Sequence, residues 1–264
     1  MKRKMFALLS ILFVGFVIAG CSDAESSDSD QGDQEDNELV IGIDDAFAPM
    51  GFRDENNEIV GFDIDMAKAA GEIMGKEVIF QPIDWSTKES ELMSGRIDLI
   101  WNGYTITEER QEKVLFTEPY LENAQVIVTL QDSDITELDD LKGKNVGLQA
   151  QSSALDALNA NPISEEVGSI TEFSDNVLAL NDLKTGRIDA VVIDEIVIDY
   201  YMTKEADTYK VLDEALAPEQ YGVGVKKGNE ELLEELQAAL DQMNEDGTSA
   251  EISIKWFGVD KVLK

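Results

Sequence analysis

Short apolar runs and longer amphipathic stretches follow one another along residues 39–264. Leu39-Val40-Ile41-Gly42-Ile43, Val78-Ile79-Phe80, Leu99-Ile100-Trp101, Asn145-Val146-Gly147-Leu148 and Ala190-Val191-Val192-Ile193 predict strands, the third and the last of them buried on both faces. Between them, Phe62 to Met74 places Phe62, Met66, Ala69, Ala70 and Ile73 on one face at helical spacing. Thr87 to Met93, Ser153 to Asn159 and Asp175 to Leu183 predict shorter helices. Alternation of this kind predicts an α/β protein with mainly parallel sheets flanked by helices. In open sheets of that type, ligands sit beyond the C-terminal strand ends.

The pattern L-x-x-G-R-I-D occurs twice, as Leu92 to Asp98 and Leu183 to Asp189. Each copy ends a helix at a glycine suited to a C-cap and then enters a strand. The strands stop at polar residues, Asn102-Gly103 and Asp194-Glu195. An internal repeat in the same order predicts two similar lobes. The segment from Gly222 through the amphipathic helix Glu230 to Asn244 breaks the repeat, so the chain is expected to cross back and finish the first lobe. Two crossings make a two-strand hinge, near Leu121 to Asn123 and Ala217 to Tyr221. The expected organisation is lobe 1 at 39–121 and 221–264, and lobe 2 at 124–217.

The amino terminus changes the picture of where the chain works. Lys2, Arg3 and Lys4 precede an apolar run, Phe6 to Val17, too short to span a bilayer comfortably. It leads into Ile18-Ala19-Gly20-Cys21, which resembles a bacterial lipobox. Residues 1–20 are then a signal peptide, and Cys21 is the lipidated first residue of the mature chain. Each buried acyl methylene contributes about 0.8 kcal/mol to anchoring. Residues 22–38 contain eight acidic residues and nothing apolar larger than Ala24. Together with Cys21 this makes residues 21–38 an acidic tether that cannot bury enough surface to order itself.

Cys21 is the only cysteine and histidine is absent. The folded part therefore has no disulfide, and triads, histidine acid–base chemistry and the usual zinc sites are excluded. Net charge is −34, and loss of the leader cations makes it more negative still. Nucleic acid is an unsuitable partner; the charge serves solubility in salty or alkaline surroundings, or draws in cationic solutes.

Four stretches then carry a resemblance: Ile43-Asp44-Asp45-Ala46-Phe47-Ala48-Pro49-Met50, Gly61-Phe62-Asp63-Ile64-Asp65, Gly103-Tyr104-Thr105-Ile106-Thr107-Glu108-Glu109-Arg110 and Phe116-Thr117-Glu118-Pro119-Tyr120. With them residues 39–264 resemble the polar amino-acid branch of family 3 of the bacterial extracellular solute-binding proteins. The resemblance implies the two-lobed type II periplasmic-binding-protein fold. It further implies a lipid-anchored monomer on the outer face of a Gram-positive cytoplasmic membrane. That monomer takes one L-amino acid to an ABC permease and its ATPase, with no cofactor, no metal and no catalysis.

The same resemblance assigns the site. A ligand α-carboxylate in a water-poor cleft needs a planar double donor, and Arg110 matches the family arginine for that role. Thr105 adds its backbone N–H to the carboxylate and its hydroxyl to the amino group. Lobe 2 supplies backbone donors at Gln151, Ser152 and Ser153, where a helix begins; relatives commonly carry glycine at the Gln151 position. Asp194 and the Gly103 carbonyl match the acceptors of the α-ammonium, and Asn102 either adds its amide or only pins the turn. Phe47 and Trp85 match aromatics that flank the ligand side chain, while Trp101 and Trp256 are expected to be packing residues. Asp44 faces the far end of the ligand or ties down its own turn. The first alternative favours arginine, lysine or ornithine, then glutamine, with Asp45 and Glu89 deepening the negative potential. No lysine or arginine is assignable to that pocket from sequence, which weighs against an acidic ligand. From other classes, a cyclohexadienyl-dehydratase-like enzyme on the same fold and a ligand-sensing module for a membrane receptor stand as alternatives.

Overall fold

The computed structural model describes residues 37–264; the expectations for the signal peptide, Cys21 and nearly all of the tether lie outside the described residues. The chain opens with β1 (Glu38–Ile43), followed by β2 (Ala46–Phe47), β3 (Gly51–Arg53) and β4 (Ile59–Val60), which form a small antiparallel sheet of their own. Then come α1 (Phe62–Met74), β5 (Glu77–Pro82), α2 (Lys88–Ser94), β6 (Leu99–Ile100), α3 (Glu108–Gln111) and β7 (Val114–Phe116). Lobe 2 follows with β8 (Leu121–Leu130), β9 (Asn145–Gln149), α4 (Ser153–Ala160), β10 (Ser169–Phe173), α5 (Asn176–Lys184), β11 (Ala190–Asp194), α6 (Glu195–Lys204), β12 (Tyr209–Val211) and β13 (Ala217–Tyr221). The chain ends in lobe 1 with β14 (Gly224–Lys226), α7 (Glu230–Asp246) and α8 (Thr248–Phe257).

The main sheets run in the order β5-β1-β6-β14-β7 and β10-β9-β11-β8-β12, with β13 also on β8. Both are mixed, where the sequence predicts mainly parallel sheets. The reason is the double crossing. In lobe 1, β5, β1 and β6 are parallel, but β14 arrives from lobe 2 and runs against β6 and β7. In lobe 2, β10, β9 and β11 are parallel, but β8 arrives from lobe 1 and runs against β11, β12 and β13. The antiparallel pairing of β8 with β13, from Leu121↔Tyr221 to Gln125↔Ala217, is the double strand that joins the two sheets.

The repeated motif does the same physical work in both lobes. Leu92 and Leu183 are buried, and Gly95 and Gly186 turn the chain at φ +76 and +70. Arg96 and Arg187 pair with Glu91 and Asp182, five residues earlier. Ile97 and Ile188 fill the space above Gly42 and Gly147 of the central strands; a Cβ there would stand 2.5 Å from each isoleucine Cδ1. Asp98 and Asp189 accept the N–H of Val40 and Asn145 at 2.8 Å in each case. One heptapeptide thus stops a helix, covers a strand and ties that strand's start.

Helix α1 has the predicted bounds, yet its buried face is turned. Met66, Ala67, Ala70 and Gly71 face inward, while Ile73 is 37% exposed. Gly71 permits the rotation, since a Cβ there would sit 2.3 Å from Val78 Cγ2. Its other side is covered by α7 and α8. Trp101 is buried in the core, as expected. Trp256 packs its edge on Phe52 and donates from Nε1 to Asp65 at 2.7 Å.

Candidate functional site

Arg110 owes its place to a cap. The Thr107 hydroxyl accepts the Arg110 N–H at 3.1 Å, starting α3 with Arg110 in its first turn. The side chain turns back so that NH1 donates to the Thr105 carbonyl at 2.9 Å and the guanidinium carbon lies 4.7 Å from the centre of the Tyr104 ring. Arg110 is only 5% exposed and forms no ion pair among the described residues. A buried guanidinium without a carboxylate is costly unless an anion joins it.

Gly103 is fixed from below. Its N–H donates to Asp63 Oδ2 at 2.7 Å, and the Tyr120 hydroxyl donates to the same oxygen at 3.0 Å. Burial pushes the Asp63 carboxyl up to about 7. The turn at Gly103 has φ +59, and an added Cβ would meet Phe47 Cε1 at 2.7 Å and the Tyr221 ring at 3.2 Å. Only glycine suits that conformation and that space. Asn102 points elsewhere: its Oδ1 lies 2.1 Å from where a Cβ on Gly51 would be, so its amide packs under β3 with no hydrogen-bond partner among the described residues.

The stretch Tyr104 to Ile106 is bonded to the hinge strand. Ile106 N–H donates to the Gln220 carbonyl at 2.9 Å and Gly222 N–H to the Tyr104 carbonyl at 3.0 Å. The Thr105 hydroxyl lies 3.1 Å from Ser153 Oγ of lobe 2 and donates to Glu219 at 3.2 Å. The same Glu219 oxygen accepts from Asn123 and from Gln125, each at 3.0 Å. Asn123 also donates to Asp194 Oδ1 at 2.8 Å, as does the Tyr221 hydroxyl at 2.5 Å. Burial first, then the Glu219 charge, pushes the Asp194 carboxyl above the usual carboxylate range. Asp194 therefore sits at the end of β11 in a site where a cation would be welcome.

Asp44 reaches both ways. Oδ1 accepts the Ala46 N–H at 3.0 Å, closing its own turn, and Oδ2 accepts from Gln149 Nε2 of lobe 2 at 2.7 Å. Burial raises its pKa to about 6. The two neighbours expected to deepen the negative potential are already engaged: Asp45 pairs with Arg53 at 2.5 Å, and Glu89 accepts from Tyr104 at 2.9 Å and faces Lys88 at 3.5 Å.

Lys88 is a buried cation that the sequence analysis did not single out; it lies beside Trp85 and Arg110, and no contact links it to Asp44 among the described residues. It is 2% exposed, with Nζ 5.1 Å from the Trp85 ring centre, and it donates to the carbonyls of Trp85 at 3.2 Å and Gln151 at 2.9 Å. Burial, then the Arg110 charge, lowers its pKa to about 8. Trp85 itself is buried, edge-on to Tyr104 at 5.9 Å. A cavity of about 90 Å³ lies between Lys88, Arg110, Gln151, Leu155 and Asp156. A larger groove of about 800 Å³, between the β2–β4 sheet and α6, contains none of the predicted site residues. The hydrogen-bond geometry, not cavity size, defines the candidate site.

In lobe 2, Ser152 donates to the Gln149 carbonyl at 2.7 Å, Gln151 has φ +54, and Ser153 Oγ accepts from Gln125 at 3.3 Å. Hydrogen bonds link Thr105, Arg110, Ser153 and Asp194 in one network across the lobes. They link Asp44 to Ser152 through Gln149 in a second, with Gln151 tied to Lys88 and Phe47 lying against Gly103. Trp85 meets Lys88 and Tyr104, and the Asn102 side chain joins neither network. Gln149, Lys88, Asn123, Glu219 and Tyr221 complete these contacts and were missed from sequence. Asn123, Glu219 and Tyr221 had a signal, as polar residues on predicted hinge strands.

Known proteins share this architecture. The chain is 32% identical over 260 residues to the L-cystine-binding protein TcyJ of Escherichia coli strain K12, covering 96% of each. A Streptococcus pneumoniae ABC uptake transporter substrate-binding protein with bound histidine superposes with TM-score 0.84 at 41% identity, over 88% of this chain and 96% of that one. An ancestral arginine-binding protein bound to arginine gives TM-score 0.79 at 41% identity, over 84% and 98%. The family description for bacterial extracellular solute-binding proteins, family 3, matches residues 39–259. With two mixed sheets joined by a double strand and a polar network between them, the chain belongs to the bacterial extracellular solute-binding proteins, family 3.

Proposed function

We propose that this chain is the solute-binding subunit of an ABC importer and closes on one L-amino acid between its lobes, catalysing nothing itself. Arg110 carries the proposal: a buried guanidinium, framed by the Thr105 carbonyl and the Tyr104 ring, that forms no ion pair among the described residues although Glu109 and Asp156 line the same cavity. The guanidinium suits an α-carboxylate, with Ser153 at the start of α4 meeting the neighbouring Thr105 hydroxyl across the cleft. Asp194, beside the Gly103 turn through Tyr221, suits the α-ammonium. The relatives named above are binding proteins for amino acids, which supports the same class here.

Asp44 favours a ligand whose far end donates hydrogen bonds, arginine or lysine first and glutamine next. Its buried carboxylate gains most from a cation. Lys88 has its contacts at Trp85, Glu89 and Gln151 and none at Asp44 among the described residues, so an acidic far end would still meet the Asp44 carboxylate unpaired. Calorimetry with L-arginine, L-lysine, L-histidine, L-glutamine, L-glutamate and L-cystine is the test. Binding of none would sink the proposal, and tight glutamate or cystine with arginine silent would sink the preference.

The working place that fits is the outer face of the cytoplasmic membrane, with Cys21 lipidated and the monomer delivering to its permease and ATPase. Cys21→Ser is expected to lose labelled palmitate and leave the membrane fraction, or stay there unprocessed. Retained label would remove the anchor.

A further inference from the structure

We propose that Lys88 is a positioning residue of the ligand site: its ammonium crosses from lobe 1 to the Gln151 carbonyl and holds the turn that opens α4. Lobe 2 then presents its carboxylate donors in place only when the lobes are together. The role presupposes the amino-acid site proposed at Arg110.

Lysine is almost never fully buried unless its charge is partnered. Lys88 is buried against three oxygens, and two of them, the Trp85 carbonyl and Glu89, belong to its own lobe. Glu89 is shared with the Tyr104 hydroxyl, so the Gln151 carbonyl, at 2.9 Å, is the shortest contact the ammonium makes. That contact can exist only with the lobes in this relation.

Gln151 needs it. Its φ of +54 lies in the left-handed region, costly for a residue with a Cβ, and no side-chain hydrogen bond is formed by Gln151 among the described residues. Alternate residues of the turn cross the cleft: Gln149 to Asp44, the Gln151 carbonyl to Lys88, and Ser153 to Thr105. The middle tie is the one that bears on backbone shape. It fixes the peptide just before Ser152 and Ser153, whose N–H groups open α4. Lys88 and Arg110 also border the same small cavity, so an anion held by the guanidinium offsets the repulsion between the two cations.

A tie made on closure slows ligand release and leaves encounter alone. Stopped-flow kinetics would use the tightest of L-arginine, L-histidine, L-glutamine and L-cystine as probe, on wild type, Lys88→Met, Gln151→Gly and the double variant. Lys88→Met is expected to speed dissociation roughly tenfold, the scale of one charge-assisted hydrogen bond, with association within about twofold of wild type. Gln151→Gly removes the backbone cost, so in that background Lys88→Met is expected to cost clearly less. Unchanged dissociation in Lys88→Met, or the same loss in both backgrounds, overturns the role, and circular dichroism melts separate either from failure to fold. If Arg110→Ala abolishes binding while Lys88→Met changes nothing, the site stands and the role falls. A wild type that binds none of the probes overturns both.

Discussion

The two lobes build their halves of the site in different ways. Lobe 1 holds its groups with partners of its own: Asp63 under Gly103, the Thr105 carbonyl and the Tyr104 ring on Arg110, and Glu89 on Tyr104. The lobe 2 turn from Gln149 to Ser153 sends three of its polar groups across to lobe 1. In the proposed binding cycle lobe 1 is preformed, whereas the lobe 2 turn, held in part by its own Ser174 carbonyl and Gln125, is completed by closure. Preformed donors limit the ordering cost of binding, and groups paired only on closure make the closed state specific.

If that contrast holds, damage to lobe 1 removes binding outright or costs stability, and damage to a cross-cleft tie spares the ligand-free fold. The largest effect is expected from Arg110→Ala. Loss of a charge-assisted pair in a closed cleft costs about 2–5 kcal/mol, roughly 30-fold to several thousand-fold in affinity. Calorimetry showing near-wild-type affinity would take Arg110 out of the site.

Next comes Gly103→Ala. A Cβ at φ +59, pressed on Phe47 and Tyr221, combines a left-handed backbone cost of about 1–2 kcal/mol with overpacking of about 1–3 kcal/mol. Urea unfolding of the ligand-free protein is expected to show the loss. A midpoint equal to wild type would mean that the Gly103 turn is not held rigidly by lobe 1.

The smallest effect is expected from Asp44→Asn: about 1–2 kcal/mol of L-arginine affinity, with the ligand-free unfolding midpoint little changed. The pH profile sharpens the test. The Asp44 pKa is raised by burial to about 6, so the stability it lends this conformation is full below its ordinary value of 3.8 and is lost as pH rises through 6. A cationic ligand end pairs only with the ionised form. L-arginine affinity is therefore expected to rise as pH passes through about 6, by at most tenfold per pH unit from Asp44, with Asp194, also raised and assigned to the α-ammonium, adding a rise of its own. Asp44→Asn removes the part of the rise near 6 and leaves the part that Asp194 supplies. A profile the same in wild type and Asp44→Asn would show that the ligand's far end does not meet Asp44.

Much of the fold was legible because its signals are local. The repeated L-x-x-G-R-I-D writes out a helix stop, a strand cover and a strand tie within seven residues, and α1 keeps its predicted limits. Arg110 was legible only through its place in the stretch Gly103 to Arg110 that carries the resemblance; the cap by Thr107, three residues away, is what the structure adds. Lys88 was not legible. Read alone, Lys88-Glu89 is a solvated helix start, and what buries it is Gln151, sixty-three residues on. Glu219 was missed for the same reason, since its three donors come from Thr105, Asn123 and Gln125. The face of α1 was misjudged because Gly71 meets Val78 from another element. The mixed sheets follow from the direction of two crossings, which hydrophobic pattern does not encode.

One of those crossings also orders events in time. Strand β14 lies between β6 and β7 and hydrogen-bonds to both, although Gly224 and its partner Ile100 stand at opposite ends of lobe 2 in the chain. As the chain emerges from its amino end, lobe 2 is complete in one continuous stretch, while β6 and β7 wait with open edges for their shared neighbour. The lobe that is written first is thus the lobe that is finished last. Arg110 rests on a scaffold whose closing strand, and whose covering helices α7 and α8, come from the final forty-one residues.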